Sequence, residues 1–210
     1  MIKLIIFDLD GTLLDTLTDI TNSVNYTLNK FNKKPRTEEE IKYFLGQGPR
    51  YLLEKSFGEI ENYDEVYKVY DAHYKIHQND NTKPYPGVKE TLEELKKTNL
   101  KLAVCSNKQD EITKSLIEDL FPGVFSFVIG TSEKFMRKPA SDMPNHIMKS
   151  LGVTKKETIY VGDTETDMKT AINSNIRAIA VTYGFRRKEE LEIFKPYKII
   201  SNLKELLEII

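Results

Sequence analysis

Four separated stretches of this chain carry side chains that could handle a charged substrate: Asp8 and Asp10, Ser106 and Asn107, Lys138, and Asp163 with Asp167. Asp8 and Asp10 are one residue apart, so on an extended backbone both carboxylates point the same way, and Gly11 then lets the chain turn. Two converging carboxylates repel unless a cation lies between them or one holds a proton. The pair is therefore a metal site or an acid/base pair. Ser106-Asn107 ends an apolar run with a hydroxyl and an amide, Lys138 precedes a proline, and Asp163 ends a second apolar run.

Such residues need a scaffold that gathers distant stretches. Ile2 to Phe7, interrupted only by Lys3, reads as a strand covered on both faces. Leu17, Ile20, Val24, Leu28 and Phe31 follow at helical spacing, closed by Lys33-Lys34-Pro35. Thr37 followed by Glu38, Glu39 and Glu40 predicts an N-cap with a capping box. Gly46-Gln47-Gly48-Pro49 interrupts the pattern before a short helix bearing Leu52, Leu53 and Phe57, and Tyr63, Val66, Tyr67, Tyr70 and Tyr74 predict a long amphipathic helix to about His77. Residues 16–83 thus read as all helix, and Asn79 to Gly87 as a linker.

Beyond the linker, helices over 88–98, 110–120, 143–151 and 165–174 alternate with strands over 100–105, 125–129, 158–161 and 176–181, before a short strand and helix at the end. That alternation implies a parallel sheet with helices on both faces. The expected organisation is an α/β core of residues 1–15 and 84–210 interrupted by a helical insertion, 16–83. Ligands of such sheets bind beyond the carboxyl ends of the strands, where Asp8, Ser106, Lys138 and Asp163 all fall.

The string Asp8-Leu9-Asp10-Gly11-Thr12-Leu13-Leu14-Asp15-Thr16 resembles the first motif of the haloacid dehalogenase superfamily of aspartate-nucleophile phosphatases. Leu102 to Asn107, Arg137-Lys138-Pro139-Ala140 and Ile159 to Asp167 resemble its second, third and fourth motifs, so the likeness covers essentially the whole chain. It implies a Rossmann-like core with an all-helical cap inserted after the first motif. It also implies Asp8 as a nucleophile forming an aspartyl phosphate, Asp10 as general acid and base, Ser106 as a donor to the phosphoryl group, and Lys138 as its neutralising cation. Gly11, Thr12 and Asn107 are expected to bind substrate beside them. The ligand set implied is Asp8 and Asp163 through side chains, Asp10 through its backbone carbonyl, and Asp167 through the metal's waters or Lys138, with Glu165 outside it. Oxygen ligands without a His or Cys cluster favour a hard cation, so Mg2+ is expected. Ser141 stands where many relatives have a second proline.

Within the superfamily the chain is similar to phosphoglycolate phosphatases, through Gly46-Gln47-Gly48 and Val181-Thr182-Tyr183-Gly184. A cap built for a small dianion should offer a cation. Arg50 is the candidate, with Gln47 beside it on the turn, because residues 16–83 hold ten Lys and Arg against eleven Asp and Glu and so have no basic bias. Pyrophosphate, nucleoside monophosphates, sugar phosphates and a β-phosphoglucomutase-like transfer remain open. A receiver-type phosphoacceptor domain groups similar residues around Mg2+, but receivers are shorter and lack a helical insertion.

Composition narrows the partners. With 31 Lys and Arg against 32 Asp and Glu, the net charge is -1, and nothing points to nucleic acid or a membrane surface. No apolar run approaches the roughly 20 residues that cross a bilayer. A single cysteine, Cys105, forms no internal disulfide, and the cytoplasm is the default compartment. The partner expected is a small phosphorylated metabolite, acted on by a monomer or homodimer. His73 and His77 read as part of the tyrosine-rich packing face, and Arg186-Arg187-Lys188 as a solvated charge cluster.

Overall fold

A computed structural model describes all of residues 1–210. In chain order, β1 (Leu4–Phe7) and β2 (Leu14–Asp15) precede four helices, α1 (Leu17–Lys30), α2 (Glu38–Phe44), α3 (Pro49–Phe57) and α4 (Tyr63–His77). Then come β3 (Lys83–Pro84), α5 (Val88–Lys96), β4 (Lys101–Gln109), α6 (Asp110–Leu120), β5 (Phe127–Thr131) and α7 (Asp142–Leu151). The chain finishes with β6 (Thr158–Gly162), α8 (Glu165–Ser174), β7 (Arg177–Val181), α9 (Lys188–Glu192) and β8 (Lys198–Ile200). A 3-10 turn over Leu203–Glu208 takes the place of the expected last helix.

Six strands form one parallel sheet in the order β5-β4-β1-β6-β7-β8. β1 lies inside it, and all four of its residues are buried. Their alternation is the reason: Ile5 and Phe7 join one apolar cluster with Val104, Val161 and Ile179, while Leu4 and Ile6 join another with Ala103, Ile147 and Tyr160. The chain builds outward from β1 on one side through β4 and β5, then crosses to the other side through β6, β7 and β8. A crevice therefore opens at the carboxyl end of β1, where the strand order reverses.

The four helices between β2 and β3 pack on one another, α1 against α2, α3 and α4. The Thr37 capping box forms as expected, with the Thr37 side chain accepting from Glu40 N and the Glu40 carboxylate accepting from Thr37 N. A short ribbon that the sequence did not suggest lies at the boundary of the helical segment. Leu14 pairs with Pro84 and Asp15 with Lys83 in a two-stranded antiparallel ribbon that joins the two crossings of the chain. Buried Asp19 reinforces it by accepting hydrogen bonds from Asn81 N at 2.9 Å and from Thr82 N and Oγ1, both at 2.8 Å. β4 runs to Gln109, past the expected end at residue 105, and β5 starts two residues later than expected, with Phe125 before it packed edge-on against the ring of Phe7. No helix is long and apolar enough to cross a membrane.

Candidate active site

β1, β4 and β6 are neighbours in the sheet, so Asp8, Ser106 and Asp163 meet at their carboxyl ends. Lys138 arrives from the segment between β5 and α7. Its Nζ donates to Asp8 Oδ1 at 2.7 Å, Asp167 Oδ1 at 2.8 Å and Tyr160 OH at 3.1 Å, which uses all three of its hydrogens. Lys138 as a whole is 2% exposed. Burial works against its charge, but Asp167 and Asp8 outweigh that and hold its pKa above the ordinary lysine value. Asp8 has the opposite problem. Burial first, then the Asp167 carboxylate, push it well above the usual carboxylate range, and Lys138 only partly offsets them.

Asp167 reaches this cluster through a cap rather than through helical spacing from Asp163. Thr164 is the N-cap of α8, and Asp167 Oδ2 accepts from Thr164 N at 3.0 Å and Oγ1 at 2.6 Å. Asp163 precedes the helix altogether. Its carboxylate accepts from Thr12 Oγ1 and Phe185 N, each at 2.8 Å, and burial followed by Asp167 raises its pKa to about 7. Gly11 and Gly184 make room for it: a Cβ on Gly11, whose φ is +84°, would stand 2.2 Å from Asp163 Oδ2, and one on Gly184 would stand 2.5 Å from the same atom. Thr12 and Gly11 thus brace Asp163.

Carboxylate oxygens of Asp8, Asp163 and Asp167 all lie within 4.8 Å of one another. Three buried carboxylates against a single ammonium leave excess negative charge, and an all-oxygen donor set suits a hard divalent cation. The Asp10 carboxylate is outside that group. It accepts from Thr16 Oγ1 at 2.7 Å and pairs with Lys108 Nζ at 3.0 Å.

Ser106 is buried, and its Oγ accepts from Lys108 N, so its hydroxyl hydrogen remains to be donated. The Asn107 carboxamide is taken up by protein: Nδ2 donates to Gly46 O at 3.0 Å and Lys138 O at 2.9 Å, and Oδ1 accepts from Lys138 N at 2.8 Å. Asn107 therefore ties the lysine segment to the turn after α2. That turn roofs a cavity of about 60 Å³ bordered by Asp8, Asp10, Ser106, Lys108 and Lys138 below and by Leu45, Gly46, Gly48, Leu52, Tyr70 and Tyr74 above. Neither Gln47 nor Arg50 borders it. Arg50 is exposed, pairs with Glu54 Oε1 at 2.9 Å and lies over the Tyr63 ring.

Arg186 was expected in a solvated cluster, yet it is 6% exposed. It donates to Glu165 Oε2 at 2.8 Å and to the carbonyls of Lys42, Tyr43 and Leu45, at 3.0, 3.3 and 3.0 Å. Carbonyls at a helix end lack partners within the helix, and Arg186 supplies them at the end of α2. Nothing in Arg186-Arg187-Lys188 distinguishes the buried arginine from its neighbours. Tyr70 and Tyr74, expected as packing residues, are buried but also border the cavity.

The haloacid dehalogenase-like hydrolase family profile matches residues 5–181. A phosphoglycolate phosphatase of Agrobacterium fabrum is 31% identical over 210 residues, spanning 97% of this chain and 90% of that protein. A crystal structure from Lactobacillus delbrueckii subsp. bulgaricus is 35% identical, with a TM-score of 0.89 over 99% of this chain and 97% of the other. A haloacid dehalogenase-like family hydrolase from Streptococcus pneumoniae is 26% identical, with a TM-score of 0.88 over 99% and 98%. By sequence along nearly its whole length, the chain belongs to the haloacid dehalogenase-like hydrolases.

Proposed function

We propose that the chain is a phosphatase that cleaves short phosphomonoesters through an aspartyl phosphate on Asp8, with phosphoglycolate as the leading substrate and Mg2+ as cofactor. One observation carries the reading: Lys138 holds Asp8 Oδ1, while no protein donor reaches Oδ2 of this carboxylate at the cavity floor. An oxygen held on one side and free on the other is oriented for attack. In the first step Asp8 Oδ2 bonds to phosphorus, the bond to the ester oxygen breaks, and Asp10 gives that oxygen a proton. In the second step water attacks phosphorus, Asp10 takes a proton back, and Asp8 is released. Ser106 donates to the transferring group, and Lys138 balances charge on the nucleophile. Mg2+, held by Asp8 and Asp163 with Asp167 behind them, would screen the repulsion between nucleophile and phosphate. The four helices act as a cap, and Leu45, Leu52, Tyr70 and Tyr74 stand over the cavity, which favours a short ester over a nucleotide. Relatives named phosphoglycolate phosphatase support the same choice.

Steady-state phosphate release from phosphoglycolate, pyrophosphate, nucleoside monophosphates and sugar phosphates tests this. Multiple turnovers abolished by EDTA, highest on phosphoglycolate, are expected. Stoichiometric labelling without turnover would instead fit a receiver-like phosphoacceptor.

Metal binding should also register in stability. Asp163 rises from its ordinary 3.8 to about 7, so the metal-free fold binds more protons than the unfolded chain between those values, and its stability falls as pH rises through that window. Mg2+ replaces those protons. The rise in Tm on adding Mg2+ should therefore be larger at pH 8 than at pH 5.5 by scanning fluorimetry; a pH-independent rise would contradict the assignment.

A further inference from the structure

The cavity has a second cation, and its surroundings describe the rest of the substrate. Lys138 has no donor left. Lys108, at the end of β4, has a side chain only 7% exposed, with Nζ 3.0 Å from Asp10 Oδ1 and donating to Tyr74 OH at 2.7 Å. Those contacts use two of its three hydrogens. Tyr74 accepts from Lys108 and keeps its own hydroxyl hydrogen to give. Tyr70, one turn earlier on α4 and 4% exposed, makes no side-chain hydrogen bond. The Gln109 amide nitrogen is taken by Tyr67 and by Asp71 Oδ1, so it adds no donor. Ile20, Leu45, Leu52 and Ile112 supply an apolar part of the same wall.

One ammonium hydrogen on Lys108 and the phenol hydrogens of Tyr70 and Tyr74 thus have no protein acceptor, on three residues that border the cavity. Buried donors in apolar surroundings are costly to leave unpaired, so the complementary ligand is rich in acceptors and negatively charged. Lys108 borders the same small cavity as Asp8, so a ligand spanning the two is short. We infer that Lys108, with Tyr74 and Tyr70, binds a second, non-reacting carboxylate of the substrate, so that the enzyme selects short phosphomonoesters bearing an acid group. Arg50, outside the cavity, has no such role. This assignment rests on the phosphatase reading and names what recognises the remainder of the substrate.

The test compares 2-phosphoglycolate with ethyl phosphate, which has a methyl in place of the carboxylate. The readout is the ratio of their kcat/KM values. The wild-type ratio should favour phosphoglycolate, Lys108→Met should lower it about 30-fold, Tyr70→Phe should lower it several-fold, and Lys108→Arg should recover part of it. A purely structural role, or one confined to positioning Asp10, would lower both substrates together and leave the ratio unchanged, which overturns the inference. Calorimetry in an Asp8→Asn background separates binding from turnover. There, phosphoglycolate should bind more tightly than ethyl phosphate, and Lys108→Met should erase the difference. Equal binding of the two ligands overturns the inference even if hydrolysis is observed, whereas absence of EDTA-sensitive turnover on any ester defeats the phosphatase reading alone.

Discussion

Replacing Lys138 by methionine should abolish phosphate release, by about a thousandfold or more, and should also destabilise the fold. The side chain is buried and joins Asp8, Asp167 and Tyr160. Methionine fills similar space but leaves two carboxylates without their cation. Removing one member of a buried ion pair costs about 3–5 kcal/mol. Asp8, already pushed up by burial and Asp167, would respond by holding a proton in the folded state, so the loss should deepen as pH rises and shrink as it falls. Urea unfolding at two pH values, alongside the phosphate assay, checks both halves. A variant within tenfold of wild-type activity would remove Lys138 from the mechanism.

Asp8→Asn should be as inactive, at least about 10⁴-fold down, with the opposite effect on stability. Asparagine keeps the shape but cannot form the acyl phosphate. Because burial and Asp167 raise the Asp8 pKa well above its ordinary value, its ionised form works against the metal-free fold above that ordinary value. A neutral isostere removes that penalty. At pH 8 without metal, Asp8→Asn should melt at or above the wild-type temperature, and the gain in Tm on adding Mg2+ should shrink. Two inactive variants with stability changes of opposite sign would separate nucleophile from counter-cation. Turnover by Asp8→Asn close to wild type would place the nucleophile elsewhere.

Part of this site was legible in the sequence because Asp8 and Asp163 each follow an element with a strong pattern. The apolar run before Asp8 and the run before Asp163 are buried strands, and strand ends in a parallel sheet are where ligands meet. The Thr37 cap could be read for the same local reason. Features that depend on three-dimensional company were not legible. Arg186 looks like Arg187 in sequence, and only the carbonyls at the end of α2, far away in the chain, explain its burial. The β2–β3 ribbon is two residues long on each side, too short for any periodicity to show. Arg50 was favoured as the cap's cation because it sits beside the glycine turn, but helix α3 directs it to Glu54 and Tyr63. Lys108 carried a usable signal: it lies two residues after Ser106 at a strand end, a spacing that shares a side while the backbone stays extended.

The inner position of β1 also shapes the order in which the protein can be made. Leu4 pairs with Lys101 on one side and with Thr158 on the other, so β1, made before the other strands of its sheet, has no sheet partner until β4 has emerged, and only one until β6 has. Contacts so distant in the chain form slowly, whereas the local contacts of α1 to α4 are available early. Asp8 is synthesised before the other residues of the site, yet its strand waits for both partners before it is set in place. A nascent or truncated chain lacking β6 also lacks Asp163 and Asp167, so it has neither the acidic cluster nor the full sheet that would hold Asp8 in position. Chemical competence and completion of the sheet arrive together.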